Sequence, residues 1–151
     1  MKTFVGILLL LFCGTFYGQL AQVDIPVSLE VGNISPGGIA TMYCEKSENG
    51  NYTFFYKDAK YIHIEEWKSF YLDTEQDFES LYNITMDNFS TMPKDDIVLE
   101  ADNGYIYLSY GKTLGAKLVR FAFTSSKSDH ANIGFSKEYT QKQVQRLFGK
   151  R

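Results

Sequence analysis

Residues 97–111 read IVLEADNGYIYLSYG, and this stretch decides the fold class. Apolar residues alternate with other residues on both sides of Asn103-Gly104, and an Asn-Gly pair between alternating runs is a strong β-hairpin signal. The pattern predicts strands over 97–102 and 105–111. One face of the hairpin is expected to be apolar, with Ile97, Leu99, Ala101, Ile106, Leu108 and Tyr110. The opposite face is expected to carry Val98, Glu100, Tyr105, Tyr107 and Ser109.

A second hairpin is predicted upstream, around Asn49-Gly50, with strands over 39–46 and 51–58. The loop length fixes which residues lie opposite each other, and a two-residue turn is expected here. That register places Met42, Cys44 and Phe55 on one face. It places Tyr43, Phe54 and Tyr56 on the other face. Both faces are therefore apolar or aromatic.

The next predicted strand, over 61–72, has an irregular alternation, because Glu66 and Lys68 fall in the same phase as its apolar residues. A β-bulge near Glu65-Glu66 would shift the phase and send the charges outward. Alternatively, the charges point inward on an edge strand, which protects an edge against aggregation. A functional carboxylate at Glu66 is the third interpretation.

Two helices are predicted from apolar spacing and capping residues. The longer one covers 74–90, and the shorter one begins at Thr140 with Gln143 as its capping-box partner and ends near Gly149. The short connections between strands favour antiparallel pairing. We therefore predict a single α+β domain over 22–151, with one twisted, mainly antiparallel sheet of about five to seven strands and two Asn-Gly hairpins. One long central helix and a short C-terminal helix pack on it.

Residues 1–21 are predicted to be a cleaved signal peptide. Lys2 supplies a positive charge, and the apolar run from Phe4 to Phe12 is too short to span a bilayer. Cleavage is expected after Gly18 or Ala21, which makes the protein secreted or periplasmic. The membrane is then met only through the signal segment.

The cysteines refine this localisation. Cys13 raises the alternative of a lipoprotein, but Phe12 occupies the place where a small residue is wanted, and an uncleaved anchor is the remaining alternative. The mature chain would keep only Cys44, so no intramolecular disulfide can form. Its apolar strand context predicts a buried, unreactive thiol.

Several classes of function are disfavoured by composition and motifs. The net charge is −3, which offers no basic excess for nucleic acid. No glycine-rich phosphate loop or Gly-x-Ser-x-Gly motif occurs, and no cofactor is predicted. His63 and Glu65 alternate on one strand, but a structural zinc site needs four ligands, and Cys44 would have to join them. The other histidine, His130, lies in a polar loop.

Aromatic residues make up 16% of the chain, more than the core alone requires, and they direct attention to one sheet face. Tyr105 and Tyr107 are expected to project there, joined by Glu100 and Arg120, and Glu66 is added as a binding candidate because of its odd phase. Tyrosine and arginine carry much of the energy of protein interfaces. The structural alternative is that these side chains pack on each other or under the C-terminal helix.

Three functions remain open at this point. The leading hypothesis is an exported, non-enzymatic binding module for an unknown protein or small-molecule partner. The first alternative is a small hydrolase or metal-dependent enzyme that uses His63, Glu66 and Cys44. The second alternative is a carrier that holds a small apolar ligand between sheet and helix.

Overall fold

The computed structural model describes residues 27–61, 63–126 and 133–150. Besides a short 3-10 helix at Pro36–Gly38, it contains eight strands and two α-helices within these residues. In chain order they are β1 (Ser28–Ile34), β2 (Met42–Ser47), β3 (Tyr52–Lys57), β4 (Trp67–Leu72), α1 (Glu75–Thr91), β5 (Ile97–Ala101), β6 (Gly104–Thr113), β7 (Ala116–Thr124), β8 (Gly134–Thr140) and α2 (Gln141–Leu147). The predicted signal segment 1–21, with Cys13, and the loop residue His130 lie outside the described residues.

The strands form two antiparallel sheets of four strands each. We call them sheet A, in the order β1-β2-β3-β4, and sheet B, in the order β5-β6-β7-β8. The α+β class and the antiparallel pairing are confirmed, whereas the prediction of one sheet with about five to seven strands is wrong. The physical reason is that α1 connects β4 to β5, so the run of hairpin connections stops at β4 and starts again at β5.

One hydrophobic core joins both sheets and both helices. The ring of Phe70 in β4 lies 5.8 Å from that of Phe123 in β7, which joins sheet A to sheet B. The ring of Phe78 in α1 lies 4.9 Å from that of Phe148, the residue that caps α2. Phe54 of β3 contacts Phe148 as well, at 5.2 Å. Aromatic contacts of this kind bury large areas and hold the layers together.

The first hairpin differs from its predicted register by one residue. Cys44 pairs with Phe54, not with Phe55, so the inner face carries Phe54 and Tyr56 and the outer face carries Tyr43 and Phe55. The loop has three residues: the Gly50 N–H donates to the Ser47 carbonyl, and Gly50 itself has a φ of 90°. An odd loop length reverses which side chains share a face, because side chains alternate along a strand.

The second hairpin keeps the predicted faces. Its turn lies at Asp102-Asn103, and Ala101 pairs with Gly104. This register is shifted by two residues from the predicted one, and an even shift leaves every side chain on its expected face. Ile106 and Leu108 are 1% and 0% exposed, so the apolar face is confirmed as the inner one.

The strand predicted over 61–72 is shorter, because β4 begins at Trp67. Its pairing with β3 runs continuously to Leu72, so the odd phase does not come from a bulge within the strand. Lys68 shares the inner phase with Phe70, and its ammonium lies 3.5 Å from both Asp58 and Glu66. The interpretation as an inward charge on an end strand therefore holds for Lys68, while Glu66 precedes the strand.

Both predicted helices are present with their expected caps. The Thr74 hydroxyl accepts a hydrogen bond from the Asp77 N–H at the start of α1. Thr140 and Gln143 form a reciprocal capping box at the start of α2, and Gly149 follows its end with a φ of 65°. Neither helix combines the length and the apolar character that crossing a membrane requires.

Candidate functional site

The predicted tyrosine-rich surface lies on the outer face of sheet B. We call it the tyrosine face and define it by Val98, Glu100, Tyr105, Tyr107, Arg120 and Phe135. Adjacent strands place these residues side by side. Tyr107 lies between Val98 of β5 and Ala122 of β7, while Tyr105 lies opposite Glu100. Four predicted residues, Glu100, Tyr105, Tyr107 and Arg120, therefore share one surface.

The tyrosine face has a small residue at its centre and larger side chains around it. Ala122 is 2% exposed and pairs with both Tyr107 and Phe135. The two tyrosines, Arg120 and Phe135 are half-buried, whereas Val98 and Glu100 at the edge are exposed. Large, partly immobilised aromatic side chains offer contact area at a small entropic cost on binding.

Arg120 has an unusual environment on this face. Its guanidinium carbon lies 5.1 Å from the centre of the Phe135 ring, a cation–π geometry. Its Nε is buried and has no hydrogen-bond partner among the described residues. A buried donor without a partner costs about 1–3 kcal/mol.

Both helices pack on the opposite face of the sheet. The Tyr110 hydroxyl donates to the Thr85 carbonyl of α1 at 2.8 Å, and Tyr110 belongs to the inner phase of β6. In α2, Val144 and Leu147 belong to the same core cluster as Ile106. The C-terminal helix therefore does not cover Tyr107, which excludes this structural explanation of the tyrosine face.

Glu66 is not brought to the tyrosine face. It lies before β4 and lines a cleft of about 510 Å³ together with Lys57, Asp58 and His63. His63 is exposed there. Two of the residues named for an enzyme, His63 and Glu66, thus share one cleft.

Asp58 is the residue of this region that sequence reasoning missed. It is 2% exposed, and its Oδ1 accepts hydrogen bonds from the N–H groups of Lys60 and Phe135, at 3.0 and 3.2 Å. Its Oδ2 makes no hydrogen bond within the described chain and faces the Lys68 ammonium at 3.5 Å. These contacts join the end of β3 to the start of β8, so Asp58 connects the two sheets.

Cys44 cannot act as the nucleophile of the proposed enzyme. It is fully buried on the inner face of sheet A, as predicted. Burial raises the pKa of its thiol, and the charge of Glu45 raises it further. The thiolate is the reactive form, and it is disfavoured here. Among the described residues, no cluster of three or more His, Cys, Asp or Glu side chains could hold a metal ion.

A second aromatic surface, on the outer face of sheet A, was also missed. We call it the sheet A cluster and define it by Tyr43, Phe55 and Trp67. The Tyr43 ring stacks on Phe55 with centroids 4.8 Å apart and meets Trp67 edge-on at 5.4 Å. Trp67 is 38% exposed. The cluster was missed because the first hairpin was predicted with a two-residue loop, and that register puts Tyr43 and Phe55 on different faces. The length of the loop is the feature that would have revealed it.

Comparisons with known proteins give no family for this chain. No protein-family model, no curated protein and no solved structure matches it. Function is therefore inferred from the surfaces of the molecule itself. The tyrosine face offers aromatic contact area, one cation and one exposed carboxylate, which suit non-covalent recognition.

Proposed function

We propose that this chain is an exported, non-enzymatic binding module and that the tyrosine face is its contact surface. The observation that carries the proposal is the common outward placement of Tyr105, Tyr107 and Arg120, on the face that neither described helix contacts. Tyrosine and arginine are enriched among the residues that dominate binding energy.

The charge of the surface narrows the class of partner. Glu100 and Glu138 are exposed on this side of sheet B, and the whole chain has a net charge of −3. Binding to a phosphate backbone needs clustered lysine and arginine. The proposed partner is therefore a protein or a small molecule that offers apolar surface to the tyrosines and an acceptor to Arg120, not a nucleic acid.

Affinity capture with residues 22–151 as bait, against the envelope and secreted fractions of the source organism, tests the surface. We expect salt-resistant recovery of one partner in near-equal amounts, because aromatic contacts are little screened by salt. The variant Tyr107→Ala is expected to lose this partner, since a dominant interface residue contributes at least about 2 kcal/mol.

The matched control is Trp67→Ala, which removes an exposed aromatic side chain from the outer face of sheet A. It is expected to keep the partner. If Trp67→Ala abolishes capture and Tyr107→Ala does not, the contact surface is the sheet A cluster. The proposal that the tyrosine face is the contact surface is then wrong. Circular dichroism of both variants shows whether each one is folded.

Export is tested separately, by mass spectrometry of the chain secreted from its own host. We expect a mature N-terminus at Gln19 or Gln22, which correspond to cleavage after Gly18 or Ala21. A chain recovered from the cytoplasm with Met1 intact would contradict export. A lipid-modified Cys13 at the N-terminus would assign the lipoprotein alternative.

One observation favours the enzyme as a second candidate: His63 and Glu66 line the same cleft. An exposed imidazole beside a carboxylate is a feasible general base. A panel of chromogenic ester, phosphoester and peptide substrates tests this candidate directly. Turnover by the wild type that is lost in both His63→Ala and Glu66→Gln would assign the function to this cleft and would contradict the non-enzymatic proposal.

A further inference from the structure

A groove lies between helix α1 and strand β5, on the inner side of that strand. Its volume is about 490 Å³. The apolar lining consists of Leu72, Leu81, Ile84, Leu99, Ala101 and Ile106. The polar lining consists of Asp77, Ser80, Glu100 and Asp102. The groove is thus a trough of mixed polar and apolar character, with carboxylates at its rim.

The strand that forms one wall is an end strand. Among the described residues, β5 pairs only with β6. In an antiparallel pair every second residue directs its N–H and C=O away from the partner, so the other edge of β5 presents donors and acceptors that pair with no strand in the described part of the chain. Natural edge strands are commonly blocked by proline or several charges. The sequence of β5, IVLEA, contains no proline and one charge, and Val98 is 43% exposed.

The wall of the groove that α1 forms is a single stripe of residues along the helix. Asp77, Ser80, Leu81 and Ile84 follow the spacing that places residues on one side of a helix. From Asp77 to Ile84 this stripe is about 10 Å long, at roughly 1.5 Å per residue. An extended chain covers that length with about three residues, at roughly 3.3 Å each. The stripe therefore matches a short extended segment that lies along β5.

One end of the groove is fixed by side-chain hydrogen bonds. The Asp102 carboxylate accepts from the Asp73 N–H at 3.2 Å, and the Asn103 side-chain oxygen accepts from the Tyr71 N–H at 3.5 Å. These contacts attach the β5–β6 turn to the junction of β4 and α1. The edge of β5 and the stripe of α1 are thereby held in a fixed relation, which lowers the entropic cost of binding.

The charge of the lining selects the occupant. Every titratable residue that lines the groove is acidic: Asp77, Glu100 and Asp102. A segment with lysine or arginine would meet complementary charge here, whereas an acidic segment would be repelled. An entirely apolar small ligand would make no hydrogen bonds with the strand edge, so the groove suits a peptide better than the apolar cargo of a carrier.

We propose that this groove binds an extended peptide, which adds as a strand to the free edge of β5. Its apolar side chains lie between β5 and α1, and its lysine or arginine side chains, which alternate with them, lie on the side of Glu100. Main-chain hydrogen bonds supply affinity, and the alternate side chains supply specificity. The groove shares Glu100 with the tyrosine face, but Tyr105, Tyr107 and Arg120 do not line it, so this proposal goes beyond the proposed function and stands without it.

The probe is a pool of capped nine-residue peptides. Odd positions hold Val, Leu, Ile or Thr, and even positions hold Lys, Arg, Asp, Glu or Ser. The pool is passed over the immobilised chain of residues 22–151. We expect the retained peptides to be enriched in Lys and Arg over Asp and Glu. No retention, or enrichment in Asp and Glu, overturns the proposal.

Two serines of α1 provide a matched pair of variants for the best retained peptide. Ser80 is exposed at the groove, whereas Ser90 is exposed on the same helix and outside the lining. Ser80→Trp fills the groove and is expected to weaken binding at least tenfold, while Ser90→Trp leaves it unchanged. Equal affinities for the two variants overturn the groove as the site.

Two further comparisons test the mode of binding. Glu100→Lys is expected to lower affinity for the basic peptide, whereas Glu138→Lys, on the far edge strand of sheet B, is not. N-methylation of alternate amides of the peptide is expected to abolish binding in one of the two phases, because strand addition needs those donors. Binding that survives methylation in both phases overturns strand addition.

The result is distinguishable from that of the proposed function. Tyr107→Ala is expected to keep the peptide and lose the captured partner, and Ser80→Trp is expected to do the reverse. If sedimentation equilibrium shows a dimer that Ser80→Trp dissociates while no peptide binds, the occupant of the β5 edge is a second copy and the peptide proposal is wrong.

Discussion

Several ionisable side chains are buried in the core, and their protonation affects the free energy of unfolding. Burial raises the pKa of Tyr139 to about 12, and its hydroxyl donates a hydrogen bond to the Thr41 side chain at 3.3 Å. Burial also raises the pKa of Tyr56 and of Cys44. In each case the folded state favours the neutral form. These side chains therefore stabilise the fold only while they stay protonated.

Stability is consequently expected to fall at alkaline pH. The Tyr139 pKa is higher in the folded chain than its ordinary value of 10.0, so its contribution is fully present below pH 10 and is lost as the pH rises towards about 12. Urea unfolding at pH 8, 10 and 11.5 measures the loss. Tyr139→Phe is expected to show a smaller alkaline loss than the wild type, and an identical loss in both would contradict this assignment.

The thiol gives a second prediction at the residue scale. Cys44 is 0% exposed, so a thiol reagent at pH 8 is expected to leave the folded chain unmodified and to label it once urea unfolds it. The measurement is intact mass with and without urea. Rapid labelling of the folded chain would show that the β2 strand opens, and it would restore Cys44 as a candidate nucleophile.

The contact between β1 and α2 shows how much a single element depends on close approach. A Cβ atom at Gly32 of β1 would collide with the backbone carbonyl oxygens of Arg146 and Leu147 at the end of α2. Gly111 of β6 has open space around the same position. The strand and the helix end can lie this close only because residue 32 has no side chain.

Gly32→Ala is therefore expected to destabilise the fold by about 1–3 kcal/mol, the usual range for overpacking against backbone. Gly111→Ala is the control, and its expected effect is below about 0.5 kcal/mol. Denaturant unfolding of both variants measures the difference. Equal stability of the two variants would mean that α2 does not pack on β1 as described.

At the level of helices and hairpins, the sequence correctly predicts the features that depend on local periodicity. Both helices and their caps, and the two faces of the second hairpin, follow from spacing alone. The first hairpin does not, because Gly50 closes a three-residue loop where a two-residue loop was expected, and this single residue exchanges the faces. That error also hid the sheet A cluster. Tyr107 was placed correctly because an even shift of register preserves the faces.

Two features of the whole molecule could not be predicted from local sequence patterns. The separation into two sheets depends on how β4 and β5 lie across α1, and a run of short connections looks the same in one sheet as in two. Asp58 has the sequence appearance of a polar loop residue. Its burial becomes evident only when β8 and Lys68 are brought beside it.

Asp58 gives the prediction at this scale. Asp58→Ala would leave the N–H groups of Lys60 and Phe135 without their acceptor and the Lys68 ammonium with Glu66 alone, and a loss of about 1.5–3 kcal/mol is expected. Asp58→Asn keeps a carbonyl oxygen for the two N–H groups and is expected to lose less. If urea unfolding shows both variants at wild-type stability, Asp58 does not join the sheets.

The central claim is recognition through the tyrosine face, and its most direct test is the dissociation constant of the captured partner for four chains. These are the wild type, Tyr107→Ala, Arg120→Gln and the sheet A control Trp67→Ala. We expect Tyr107→Ala to weaken binding at least tenfold, which corresponds to about 1.4 kcal/mol, with a smaller loss for Arg120→Gln. Trp67→Ala is expected to match the wild type. Equal affinity of Tyr107→Ala and the wild type, with both chains folded, would contradict the claim.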